Sequence, residues 1–244
     1  MSPSSAPVAL VVGAGDATGG AIARRFAREG YIACVTRRSE DKLAPLVAQI
    51  RAGGGQAHGF GSDARKEEEM VALVQKIEAE IAPIEVAVFN IGANVRFSLT
   101  ETTSRVFTKV WEMACFAGFL AGREAARHMV PRGRGTILFT GATASTRGRE
   151  GFSAFAAAKA GLRVLAQSAA RELGPKGLHV AHIVVDGAID GVFTRSNRDN
   201  VEELLAGDRI LKPDEIAANY VWLHKQPRSA WTHELDLRPW TEAW

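Results

Sequence analysis

The chain has 244 residues, 46% of them apolar, with 30 basic against 27 acidic residues and a formal net charge of +3. That length and apolar share suit one packed α/β domain spanning 1–244 and exclude a disordered chain. The charge excess is small and unclustered, which argues against a nucleic-acid partner, and no run of about 18 apolar residues is present to cross a membrane.

Taken in chain order, residues 1–7 are polar and read as a flexible start without the charged region of a secretory leader. Val8–Val12 is an apolar run that reads as a buried strand. A helix is expected over 19–29, closed by Gly30, and a second strand over 31–36. Ser39 is placed to cap the next helix, with Glu40 and Asp41 near its positive end, and the glycines at 53–55 stop it. A weak third strand at 57–60 precedes a helix over 66–81, whose Met70, Leu73, Val74, Ile77 and Ile81 repeat at helical spacing. The fourth strand is expected at 84–89, one long helix at 103–129, and the fifth strand at 136–140. An alanine-rich helix follows at 152–173, then a strand at 179–185, a helix at 213–224 and a last short strand at 233–237. Strand–helix alternation of this kind predicts a Rossmann-type, doubly wound, mostly parallel sheet with helices on both faces. Cys34 and Cys115 fall in apolar stretches, which predicts inert buried thiols in a reducing, cytoplasmic protein. The six histidines show no metal spacing and read as structural, so no metal is expected.

The first strand runs into Gly13-Ala14-Gly15-Asp16-Ala17-Thr18-Gly19. Glycines between a strand and a helix let backbone N–H groups approach a pyrophosphate, to which the helix N-terminus adds its dipole. A tight packing turn is the bland alternative; its position in the first βαβ unit favours phosphate. The second strand ends in Arg37-Arg38, without the carboxylate that NAD sites place against the ribose 2′-hydroxyl. Two guanidiniums there can fork onto a phosphate, so NADP(H) is expected over NAD(H). Lys159 is the one charge between Glu150 and Arg163, among alanines and phenylalanines, and shares a helix face with Phe155 one turn earlier.

With these motifs in order, the chain resembles the short-chain dehydrogenase/reductase family over nearly its whole length. Gly13 and Gly19 match the outer glycines of that family's first turn, with Val12 and Ala17 in place of its Thr and middle Gly. Asp63, followed by Ala64, matches the acid that touches adenine. Asn90-Ile91-Gly92 follows the fourth strand where the family has Asn-Ala-Gly. Asp186-Gly187, followed by Ile189, stands at its Pro-Gly, and Phe155-Ala-Ala-Ala-Lys159 at its Tyr-x-x-x-Lys. The resemblance implies that Gly13, Gly15, Asp16, Ala17, Thr18, Gly19, Arg37, Arg38, Asp63, Ala64, Asn90, Ile91, Gly92, Lys159, Gly187 and Ile189 hold the coenzyme.

It also implies four positions for chemistry. The proton-donating Tyr is Phe155, the orienting Ser is Ala142, the relay Asn is Cys115, and the Lys is retained as Lys159. Nearby hydroxyls at Thr143, Ser145 and Ser153, or Lys159 itself, are candidate replacement donors. Residues 190–212 fall at the family's substrate lid, which makes Phe193, Thr194 and Arg195, with Thr143, candidate substrate contacts. Trp111 and the group Trp231, Trp240 and Trp244 read as core or subunit contacts. The resemblance implies a small-molecule substrate and a homodimer or homotetramer. Two functions follow: an NADP(H)-dependent oxidoreductase with an acid-poor site, or a coenzyme-binding pseudoenzyme that senses the NADP(H) pool or supports a partner subunit.

Overall fold

The structure, a computed structural model, describes residues 6–242; the first five residues of the expected flexible start, and Trp244, lie outside them. Seven strands form one sheet: β1 (Val8–Val12), β2 (Ile32–Arg37), β3 (Gln56–Gly61), β4 (Ile84–Phe89), β5 (Gly135–Thr140), β6 (Leu178–Val185) and β7 (Glu234–Leu237). Their order is β3-β2-β1-β4-β5-β6-β7, and every pairing is parallel. The order reverses between β1 and β4, which opens a crevice at the carboxyl ends of those two strands.

The nine α-helices are α1 (Thr18–Arg28), α2 (Ala44–Ala52), α3 (Glu67–Glu80), α4 (Ser104–Trp111), α5 (Ala117–Met129), α6 (Ser153–Leu173), α7 (Val192–Asn197), α8 (Val201–Ala206) and α9 (Pro213–His224) among the described residues. The central strands are apolar throughout because both faces of the sheet are covered. On one face Met70, Leu120 and Leu162 of α3, α5 and α6 pack with Leu10 and Phe89. On the other, Ile22, Phe26, Ile50 and Tyr220 of α1, α2 and α9 pack with Val11 and Val35. The expected fold class holds, with all strands parallel rather than most.

Several details differ from expectation. Ser39 stands before a short 3-10 turn, Glu40–Leu43, and its side chain makes no capping bond; α2 starts only at Ala44. The expected helix at 103–129 is broken by a π turn, Glu112–Phe116, between α4 and α5. Such wide turns insert a residue and recur at functional sites, and this one carries Cys115. The lid region holds two short helices, α7 and α8, closed by a parallel bridge between Ile189 and Leu211. Trp111 and Trp240 are not core: they are 41% and 79% exposed. Trp231 is half-buried and stacks on His179.

Candidate active-site cleft

The turn after β1 is held by its own backbone. The N–H groups of Gly13 and Ala14 donate to the Thr36 carbonyl at 3.2 and 3.0 Å. The Asn90 amide donates to the Gly13 carbonyl at 3.1 Å, tying the turn to the end of β4. Gly13 has φ +92°, and a Cβ there would lie 2.7 Å from the Asn90 carbonyl oxygen; only glycine fits on both counts. A Cβ on Gly15 would meet nothing within 4 Å, so that side of the turn opens to the cleft. Helix α1 then begins at Thr18 with no side-chain cap. Its first N–H groups have no carbonyl one turn earlier, which leaves them available to an anion.

From the turn a cleft of about 920 Å³ runs across the carboxyl ends of the strands. Gly15, Asp16, Ala17, Thr18 and Gly19 line one part of it, and Asn90, Ile91, Gly92, Gly187 and Ile189 line it further on. Ala142, Thr143, Phe155, Lys159 and Phe193 line the rest. A smaller cavity adjoins the other side of Gly13 and is lined by Arg37, Arg38, Asp63, Ala64 and Arg65. All sixteen residues expected to hold the coenzyme thus line one or other of two hollows flanking the turn, whereas Cys115 lines neither. Asp63 is less free than expected. Arg65 grips its carboxylate at 2.9 and 2.5 Å and holds it below the ordinary carboxylate range.

Lys159 projects from α6 and is 3% exposed. Its ammonium donates to the carbonyls of Ile91 at 3.0 Å and Thr140 at 2.8 Å. An ammonium has three donors, so one is left for whatever occupies the cleft. Burial pushes its pKa down to about 7, because a dry surrounding disfavours the charged form. Its nitrogen lies 6.0 Å from the centre of the Phe155 ring.

Around Phe155 the wall is apolar. Phe155, Cys115, Ala93, Val110, Ala114, Ala154 and Ala158 form one buried cluster, with Ala142 and Ala144 packed on it. Burial raises the Cys115 thiol above its ordinary range, and the nearby Lys159 charge only partly opposes that, so the thiol is a poor nucleophile.

The hydroxyl candidates separate. Thr143 lines the cleft, but its hydroxyl donates to Asp186 at 2.6 Å. Ser145 is buried and accepts from the Ala142 N–H at 3.1 Å, and the Ser153 hydroxyl is buried without a partner among the described residues. Neither serine lines the cleft. Two lid expectations are corrected. Thr194 is buried and donates to the Ile189 carbonyl at 2.5 Å, stabilising α7 rather than reaching substrate space. Arg195 turns away to Asp190 and Glu202 at 2.7 and 2.6 Å. Of that trio only Phe193 faces the cleft.

One constellation escaped the sequence reading. Asp186, fully buried at the end of β6, accepts from Thr143 and from Arg147, whose guanidinium reaches both its oxygens at 2.9 and 3.2 Å. This ties the loop after β5 to the loop after β6. The available signal was a carboxylate directly following an eight-residue buried strand, since a charge so placed needs a cationic partner.

Comparison with known proteins agrees with this geometry. A family model described as short chain dehydrogenase matches residues 7–202. A short-chain dehydrogenase structure from Rhodopseudomonas palustris is 50% identical, covers 98% of this chain and 100% of its own, and superposes with a TM-score of 0.83. A metagenomic short-chain oxidoreductase solved in complex with NADP is 26% identical, with 97% and 98% covered and a TM-score of 0.82. The short-chain reductase protein NovJ of Streptomyces niveus is 30% identical over 238 residues, covering 91% of this chain and 88% of its own.

Proposed function

The chain belongs to the short-chain dehydrogenase family, and from that premise we propose that it is an NADP(H)-dependent oxidoreductase whose substrate exchanges hydride without help from a protein acid. The observation that carries this reading is the cleft itself. A glycine turn suited to pyrophosphate and a buried lysine share one hollow, while the wall beside the lysine is apolar. The residues present fit a nicotinamide dinucleotide: open space over Gly15, uncapped N–H groups at α1, and an unused lysine donor. Bound there, such a coenzyme supplies or takes the hydride.

The protein's own residues do the rest. Gly13 to Gly19 cradle the pyrophosphate, with Asn90 fixing the turn. Arg37 and Arg38 receive a 2′-phosphate in the smaller cavity. Lys159 donates to the nicotinamide ribose and, in its protonated form, sets a positive charge near the transfer. Phe155 keeps water from the reacting face. With Phe155, Ala142 and Cys115 where the family places Tyr, Ser and Asn, a ketone oxygen would gain its proton unaided. Conjugated enones and iminium carbons need no acid at that spot, so they are the proposed substrate classes.

The test is coenzyme oxidation followed at 340 nm with matched ketones, enones and iminium compounds. Turnover is expected on the last two, at least about 10²-fold above the ketones, the size of a missing general acid. Ketones turned over as fast as enones would refute the acid-free assignment. NADPH binding without turnover on any class would leave the sensor or partner-subunit role. We further propose a cytoplasmic homodimer or homotetramer, supported by exposed Phe107, Trp111, Phe119 and Val164 on α4 to α6. A purely monomeric sedimentation profile at micromolar concentration would refute the oligomer.

A further inference from the structure

The charges around the cleft are lopsided. Its lining carries four basic side chains, Arg147, Arg149, Lys159 and Arg198, against two carboxylates, Asp16 and Glu242. Lys159 is committed to two carbonyls and Arg147 to Asp186. Arg149 and Arg198 differ. Both are exposed at the cleft, and neither has a carboxylate within ion-pair reach among the described residues. Arg149 follows the Arg147 anchor by two residues, so the Asp186 pair that fixes this loop also fixes where Arg149 stands. Arg198 comes directly after α7, in the lid region.

The space between them is not wholly polar. Phe152 and Phe193 line the same cleft, and Phe193 is 70% exposed. A cleft lined by phenylalanine rings and by two guanidiniums that have no ion pair among the described residues is complementary to a molecule with an apolar body and an anionic end. Guanidiniums bind carboxylate or phosphate through parallel N–H bonds. A third arginine, Arg96, packs its side chain over Gly151, two residues after Arg149.

Resting on the coenzyme reading above, we propose that the substrate is an organic acid. Arg149 and Arg198 receive its carboxylate or phosphate at the cleft mouth, and its apolar, unsaturated body lies along Phe152 and Phe193 toward Phe155. The anion does the orienting that a Tyr–Ser pair performs on a carbonyl oxygen elsewhere in the family. Binding energy from a remote charged group then positions the reacting carbon.

The experiment is calorimetry on the full chain saturated with NADP+, titrated with trans-cinnamate, phenyl phosphate and, as the neutral match, trans-cinnamamide. At least one acid is expected to bind about tenfold or more tighter than the amide, and to weaken with added salt while the amide does not. Cinnamate against phenyl phosphate distinguishes the two anion sources. In Arg149→Gln with Arg198→Gln the advantage of the acid is expected to vanish, while NADP+ affinity stays within about twofold. Equal binding of acid and amide, no binding by either acid, or an acid advantage that survives the double substitution would each overturn the proposal. So would a tenfold loss of NADP+ affinity with the acid advantage intact, which would assign the arginines to the coenzyme. If the wild-type chain binds no NADP+, the coenzyme reading fails separately, and the same acid–amide comparison on the free protein still decides the anion site.

Discussion

In the double substitution Phe155→Tyr with Ala142→Ser, NADPH-dependent reduction of a simple ketone such as cyclohexanone rises by about 10²- to 10⁴-fold, the usual contribution of a positioned general acid. That corresponds to roughly 3–5 kcal/mol of barrier. The geometry favours the gain. Phe155 is 8% exposed yet lines the cleft, so a phenol oxygen added to its ring enters a space that already accommodates the ring. Lys159 is one helical turn away with its nitrogen 6.0 Å from the ring centre, and in its protonated form a cation that close favours the phenolate and so lowers the phenol pKa. Ala142 is half-buried on the facing loop, where a serine hydroxyl would face the same space. Steady-state rates on coenzyme-saturated protein check the result. No gain with coenzyme bound would mean that Phe155 does not stand at the reacting end.

The second large effect belongs to Lys159. Lys159→Met is expected to weaken NADPH binding by about 10- to 150-fold, the cost of one hydrogen bond from a charged donor. It also changes the pH dependence of folding. Burial lowers the folded-state pKa from 10.5 to about 7, so between those values the unfolded chain holds a proton that the folded chain has released. Stability contributed by this site therefore rises with pH through that window. From pH 7 to 9 the rise is at most ~3 kcal/mol, from about 1.4 kcal/mol per unit. Above pH 9 the buried Cys34, whose thiol burial raises to about 12, works in the opposite direction. Denaturant unfolding of wild type and Lys159→Met, compared point by point from pH 7 to 9, isolates the lysine. Parallel curves would show that the ammonium stays charged in the folded protein.

Much of this architecture was legible from local pattern. The strand Ile84–Phe89 and the helix Pro213–His224 carry their own limits, one in a largely apolar run preceded by proline, the other in a stretch started by proline. The phosphate-binding turn was also legible, because glycines there follow the first strand of a βαβ unit. What escaped was set by long-range pairing. The Asp186–Arg147 contact joins residues 39 apart through the sheet, and no local periodicity encodes it. Thr194 and Arg195 have the chemistry of substrate contacts, but in the fold they are taken up by the Ile189 carbonyl, Asp190 and Glu202. The π turn at Cys115 arises where α4 and α5 must both pack on α6, and a continuous helical pattern does not announce it. Arg149 and Arg198 are ordinary surface arginines in the sequence; only the fold places them on one cleft.

Everything proposed for catalysis depends on a dinucleotide lying between the glycine turn and Lys159, with its 2′-phosphate on Arg37 and Arg38. Calorimetric titration of the purified chain with NADPH and NADH, repeated on Arg37→Ala with Arg38→Ala, tests this most directly. NADPH is expected to bind the wild type at least about tenfold tighter than NADH, with the arginine pair responsible for the difference. Absence of heat with either coenzyme, in reduced or oxidised form, would contradict it.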